Sequence, residues 1–182
     1  MPAGLTAHLA GQNREMAVSF RSLVLALLLA IFLVYLVMAS QFESFLHPFV
    51  ILFTIPLALI GAVLGLVVTG STISVVVFIG LILLAGIVVN NAIVLIDLVN
   101  QLRDRGMKKR EAIIAGGRSR LRPILMTTLT TVLGLIPLAL GIGEGAEIRA
   151  PMAITVIGGL SVSTLLTLVV IPVVYVTLDR KD

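Results

Sequence analysis

Two adjacent amides interrupt an otherwise apolar run, Gly86-Ile-Val-Val-Asn90-Asn91-Ala92-Ile-Val-Leu-Ile-Asp97. A side-chain amide brings two N–H donors and an accepting carbonyl, and hydrocarbon offers them nothing. Their chemistry is therefore hydrogen bonding to another helix or to water. Asn90 and Asp97 are seven residues apart, two helical turns, and Gly86 lies one turn before Asn90, so all three share a face. That face must meet protein or water. Either the amides hold helices together and Asp97 is an ordinary end charge, or the face is functional. A second series, Arg120, Thr127, Thr131 and Gly134, has spacings of 7, 4 and 3 and also falls on one helical face. Arg120 is then either a snorkelling anchor at the bilayer edge or the mouth of a polar track. The hydroxyls of Thr127 and Thr128 either bond back to carbonyls of the preceding turn or extend that track.

Other chemistry is thinly represented. With no cysteine there is no thiolate nucleophile, no disulfide framework and no zinc-finger pattern. His8 has no carboxylate or second histidine at metal-ligand spacing, and His47 before Pro48 reads as an interfacial side chain. Gly141-x-Gly143-x-Gly145 is half of a nucleotide loop with no strand before it, hence a turn between helices. Metalloprotease, nucleophile-elbow and P-loop motifs are absent. The chain is expected not to be an enzyme and to need no cofactor or metal.

The elements that must position these residues follow from composition. Of 182 residues 59% are hydrophobic and 12% charged, and the mean hydropathy is +1.18. Soluble domains run at about 45–50% apolar and about 25% charged, so this is an integral membrane protein. About 20 apolar residues cross a bilayer, and the uncharged stretch 44–96 must cross twice. The reading is all-α, with five transmembrane helices at about 22–40, 48–69, 73–99, 123–142 and 151–177, and a basic loop at 100–122. Gly70-Ser71-Thr72 is the turn dividing the long stretch. Twenty mixed residues before the first span do not make a secretory signal. Gly61 and Gly65 form a small-xxx-small pair, and Gly159, Ser163 and Thr167 a stripe at i, i+4, i+8, both suited to close helix packing. Pro56 and Pro137 predict kinks.

Eight of the 13 Lys and Arg residues fall between Arg103 and Arg122, which makes that segment cytoplasmic by the positive-inside rule. Threading five spans from there puts the C-terminus inside, with Arg180 and Lys181, and the N-terminus outside. The count is then 10 basic residues inside against 3 outside, Arg14, Arg21 and Arg149. The net charge of +4 and pI near 10.1 are met by lipid headgroups, so no nucleic-acid partner is expected. An outside N-terminus with Arg14 and Arg21 on the wrong side of the first helix suggests a C-terminal piece of a longer polypeptide.

Four strings now stand together: Tyr35-Leu-Val-Met-Ala-Ser-Gln-Phe-Glu43-Ser-Phe, Gly86 through Asp97, Arg120-Leu-Arg122-Pro123-Ile-Leu-Met-Thr127-Thr128, and Ala150-Pro151-Met152. In order and spacing they resemble the C-terminal membrane half of resistance-nodulation-division (RND) efflux permeases of the hydrophobe/amphiphile, multidrug type. The resemblance covers the whole chain, with residues 1–20 as the end of a periplasmic porter segment. It implies a proton-driven antiporter of twelve helices in two repeats, assembled as a homotrimer in the bacterial inner membrane. It also implies an N-terminal permease half, in cis or in trans, as partner, with a periplasmic adaptor and an outer-membrane channel where the cell is Gram-negative. Family members carry an acidic pair in the first repeat that loads protons against polar groups of the second. On that pattern Asn90 falls where many drug pumps have lysine, Asn91 on their asparagine, Thr127 on the relay threonine and Arg120 on the relay arginine. Asp97 is the nearest carboxylate. A neutral amide cannot supply the counter-charge of a lysine, and no span of this chain has a central carboxylate. The chain alone is therefore expected not to transport; the alternative is a stand-alone membrane scaffold or assembly partner.

Overall fold

In hydrocarbon only locally closed backbone hydrogen bonds survive, so apolar runs of membrane length become helices. The computed structural model describes residues 12–42 and 46–178, and among these it contains helices and no strand. They are α1 (Gln12–Phe42), α2 (Leu46–Leu52), α3 (Thr54–Thr69), α4 (Val75–Asp104), α5 (Lys109–Ala139) and α6 (Ala146–Leu178). Among the described residues five helical spans are long and apolar enough to cross a membrane, with α2 and α3 together making the second. The all-α, five-span membrane architecture expected from hydropathy is what is found. Residues 1–11, most of the expected porter segment, lie outside the described residues, as do Glu43 to Phe45 and the tail with Arg180 and Lys181.

The basic segment 100–122 is not a loop. α4 continues to Asp104, a turn occupies 105–108, and α5 begins at Lys109, so Arg110, Arg118, Arg120 and Arg122 are helical. The reason is amphipathic docking: Ala112, Ile113 and Gly116 turn inward while Arg110, Arg118 and Arg122 stay out. Gly116 lies so close to α4 that a Cβ there would come within 2.9 Å of Val99 Cγ2. Pro56 produces a break rather than a bend. Its ring excludes the carbonyl four residues earlier, and the helix is interrupted at Phe53, whose N–H reaches Val50 O at 3.2 Å. Thr54 Oγ1 donates to Ile51 O at 2.7 Å across the interruption. α5, in contrast, runs through Pro123 and Pro137.

Helix ends are closed by left-handed glycines at two turns. Gly70 (φ 64°) ends α3 with its own N–H on Val67 O and the Ser71 N–H on Leu66 O. Gly141 (φ 71°) ends α5 in the same way, the Ile142 N–H reaching Pro137 O at 3.0 Å.

α6 is the central element, packed against α2, α3, α4 and α5, whereas among the described residues α1 packs against α2 and α4. The α3–α6 seam is set by glycine. A Cβ on Gly61 would lie 2.6 Å from Gly158 O, and one on Gly65 would lie 3.3 Å from Gly158 Cα. The expected small-xxx-small pair thus meets glycine on the opposing helix, and the backbones approach as lipid-embedded helices must when no hydrophobic exclusion drives them together. Two apolar clusters fill the rest. Ala58, Ala62, Leu84, Val88, Val156 and Leu160 join α3, α4 and α6. Ile51, Val89, Leu95, Ile96 and Ile113 belong to a second group that joins α2, α4 and α5 toward the basic end.

Candidate functional site

α4 presents two faces. Leu84, Val88, Ala92, Leu95 and Val99 are buried against the bundle, while Ile79, Leu83, Gly86 and Asn90 recur every three to four residues as an exposed stripe. Asn90 lies in that stripe. No neighbouring atom lies within 4 Å of where a Gly86 Cβ would stand. Gly86 borders a narrow cavity with Ala30, Ile31 and Val34 of α1, and Asn90 one turn on is exposed. Asp97, two turns on, is half-buried and its Oδ2 accepts from Gln101 Nε2 at 2.8 Å within the same helix.

Asn91 is a hundred degrees round the helix and points elsewhere. It is half-buried and lines a small cavity with Ile124 of α5 and Ser163, Thr164 and Thr167 of α6. Ser163, Thr164 and Thr167 are all buried, as is Thr128. Thr128 Oγ1 and Thr164 Oγ1 are 3.0 Å apart, a hydrogen bond joining α5 to α6. The Thr167 hydroxyl is buried with no partner among the described residues. Spacing alone assigns Ser163 and Thr167 to close packing; their hydroxyls also make this an internal polar layer beneath Asn91. The readable signal is three hydroxyl residues within five positions of an apolar span. Removing one member of the Thr128–Thr164 pair strands the other in an apolar interior, so Thr128→Val and Thr164→Val should each destabilise. The double variant should lose less than their sum, by about 0.6 and at most about 1.7 kcal/mol, the range for interhelical hydrogen bonds in membranes. Thermal unfolding of the four forms in detergent measures it, and strict additivity would remove the bond from the account.

On α5, Thr127 and Gly134 are exposed and Arg120 and Thr131 half-buried. Thr127 Oγ1 donates back to Ile124 O at 2.9 Å, and Thr131 Oγ1 to Thr127 O at 2.9 Å. Both hydroxyls thus use the local carbonyls, while their acceptor lone pairs remain open. Arg120 Nε is buried with no hydrogen-bond partner among the described residues. An N–H of a permanent cation, shielded from solvent, calls for an acceptor. The residues singled out by the sequence therefore divide: Asn90 and Thr127 are exposed, Arg120 holds a buried unpartnered N–H, Asn91 faces the α5–α6 hydroxyls, and Asp97 is satisfied in part along its own helix. No described hydrogen bond joins Asn90 to Thr127.

The sequence matches the AcrB/AcrD/AcrF family over residues 1–179. It is 48% identical over 180 residues to the swarming motility protein SwrC of Bacillus subtilis (strain 168), covering 98% of this chain and 17% of that protein. Two crystal forms of a heavy metal efflux pump superpose with TM-scores of 0.80 and 0.81 at 34% identity, covering 93% and 94% of this chain and 17% of the pump chain in each case. The chain thus spans about a sixth of the length of the relatives it matches.

Proposed function

The chain belongs to the AcrB/AcrD/AcrF family of resistance-nodulation-division permeases, and from that membership we propose that it forms part of a proton-driven efflux transporter, in which Asn90, Thr127 and Arg120 supply one side of a proton relay. One observation carries the reading. Asn90 is an exposed amide inside a helix of membrane length. Lipid cannot satisfy it, so a polar group from another segment must. The buried, unpartnered Nε of Arg120 asks for the same thing, and its charge makes a carboxylate the natural acceptor. A carboxylate that gains and loses a proton against this amide and this guanidinium would move between two states of hydrogen bonding, and that is the elementary act of a proton-coupled carrier. Asn91 acts from behind, through the α5–α6 hydroxyl layer.

The basic end is cytoplasmic in this reading, the membrane is the bacterial inner membrane, and the working assembly is a trimer with an adaptor and outer channel where a second membrane exists. The chain does transport rather than chemistry on bound substrate. The exported compound is hydrophobic or amphiphilic; the 34% identity to heavy metal pumps supports a metal ion as the second reading. Gradient-dependent efflux from vesicles tests both, with a fluorescent dye and a divalent metal as alternative cargo. The chain is compared with and without a co-expressed permease half that carries an acidic membrane helix. Efflux only with that half is expected. Efflux from this chain alone would overturn the relay and pass the proton to Asp97, and no efflux of either cargo in any combination would leave the membrane-scaffold alternative.

Arg120→Ala in the transporting assembly should lower gradient-coupled export severalfold and Arg120→Lys should restore part of it, because a lysine keeps the charge without the fork. Export at the wild-type rate in Arg120→Ala would reassign this arginine to anchoring at the headgroups.

A further inference from the structure

α5 carries a row of exposed side chains that neither the bundle nor the relay uses. Arg118, Arg122, Met126, Leu129 and Leu133 follow spacings of 4, 4, 3 and 4, so they stand in line along one face of the helix. The helix is continuous through Pro123, and the row is therefore unbroken. All five are exposed, with Met126, Leu129 and Leu133 at 69%, 57% and 62%. Ala112, Gly116, Ile124 and Thr128, which are buried against the other helices, lie on the far side of α5. Thr127, one position from Met126, is turned a hundred degrees away from the row.

The depth of the two arginines follows from the α4–α5 contact. Gly116 opposes Val99, and Ile124 shares a cavity with Asn91, so Arg118 and Arg122 stand beside the part of α4 between Asn91 and Val99. Asp97 is the one charged residue in that part. The guanidinium groups thus lie where the neighbouring helix passes from apolar to polar, within snorkelling reach of lipid phosphates. Neither has a hydrogen bond or an ion pair among the described residues. Glu111, two turns nearer the start of α5, is the carboxylate closest to them along the helix, and it is exposed. One helical turn separates the arginines, about 5–6 Å between Cβ atoms, so both can donate to one phosphate. The apolar part of the row fits an acyl chain better than another helix. Helices in a membrane approach through small residues, as α3 and α6 do at Gly61, Gly65 and Gly158. The row has none, only long side chains.

We propose that this row is a binding site for one anionic phospholipid, its phosphate held between Arg118 and Arg122 and an acyl chain lying along Met126, Leu129 and Leu133. The pair of guanidinium forks at one end and the unbroken apolar side chains beyond them reproduce the two parts of such a lipid in their order. That match separates the site from basic residues that attract an anionic surface diffusely. Neither arginine belongs to the proposed relay, so failure of one reading leaves the other standing.

The test reads lipid retention by the full-length protein, using native mass spectrometry from nanodiscs of phosphatidylcholine with or without phosphatidylglycerol. Wild type is expected to retain phosphatidylglycerol in preference to phosphatidylcholine. Arg118→Gln and Arg122→Gln should each weaken that retention about fivefold, and the double variant about twenty-five-fold, the effect of one and of two basic residues near an anionic surface. Leu129→Gln leaves both cations in place and should weaken it by a smaller factor, through the acyl chain. Arg110→Gln is the control, since it removes the same charge from an exposed position of the same helix but off the row; its retention should match wild type. Arg118, Arg122 and Leu129 are exposed, so the single variants keep the fold even if the double variant does not, and a melting temperature accompanies each. An equal loss in Arg110→Gln would mean diffuse attraction and overturn the proposal. Equal retention of the two lipids by wild type would overturn it as well, and would assign the arginines to an acidic protein segment.

Discussion

Asn90→Leu should reduce gradient-coupled export to the level seen when the proton gradient is collapsed, while the protein is made, inserted and folded as before. Both halves of that expectation come from one geometric fact. The Asn90 side chain is exposed, so a leucine there need not displace buried side chains of the bundle. It removes two donors and an acceptor and offers a relay carboxylate only methyl groups. Thr127→Val, nearly the same shape, removes a hydroxyl that is also exposed. It should have the same direction of effect with little loss of stability, because the bond it breaks, to Ile124 O, belongs to an acceptor already in the helix ladder. Asn91→Leu should behave differently. That amide borders the Ser163, Thr164 and Thr167 layer, so its loss should lower the melting temperature as well as transport. Export and thermal unfolding measured on all three variants separate the cases. Unchanged export in both Asn90→Leu and Thr127→Val would return those residues to helix packing. Asn90→Lys is the informative companion, since a lysine tolerated there would mean that the amide stands opposite a negative charge.

Gly158→Leu should abolish the folded bundle. A Cβ on Gly158 would lie 2.7 Å from Gly61 O and 3.1 Å from Gly65 Cα, and these are backbone atoms that no rotamer change can move aside. The four-carbon side chain must push α3 away from α6, the helix on which the whole arrangement is built. Overpacking typically costs about 1–3 kcal/mol where side chains can yield; here the backbone must yield, so the loss should reach or exceed the upper end. Gly117→Ala is the control, because nothing lies within 4 Å of its Cβ position and alanine gains up to about 1 kcal/mol of helix propensity over glycine. Size-exclusion profiles and melting curves of the two purified variants decide the matter. A monodisperse Gly158→Leu protein with a wild-type melting temperature would mean that the α3–α6 seam is looser than described.

The membrane spans are legible in the amino-acid sequence because insertion is a local property: each apolar run must close its own hydrogen bonds, and its length can be counted against the bilayer. Turns at Gly70 and Gly141 are legible for a related reason, since a left-handed residue between two helices is a demand on one residue type. The segment 100–122 reads wrongly as a loop because high charge suggests exposure, and its inward set of Ala112, Ile113 and Gly116 becomes a docking face only when α4 is there to receive it. The break at Phe53 belongs with these: Pro56 announces a disturbance, but whether the chain bends or interrupts depends on how α2 and α3 pack.

The residue types able to act in a membrane, two amides, an arginine and a row of hydroxyls, were determined by the sequence itself, because any polar group in hydrocarbon stands out against its neighbours. Spacing further put Asn90 with Gly86 and Thr127 with Arg120. Which way each face points was decided by tertiary structure alone. Soluble helices announce their inner face by polarity, whereas α4 is apolar nearly all round and carries no such mark. Only the placement of α5 and α6 turns Asn91 toward Thr164 and Thr167 and leaves Asn90, one position earlier, exposed.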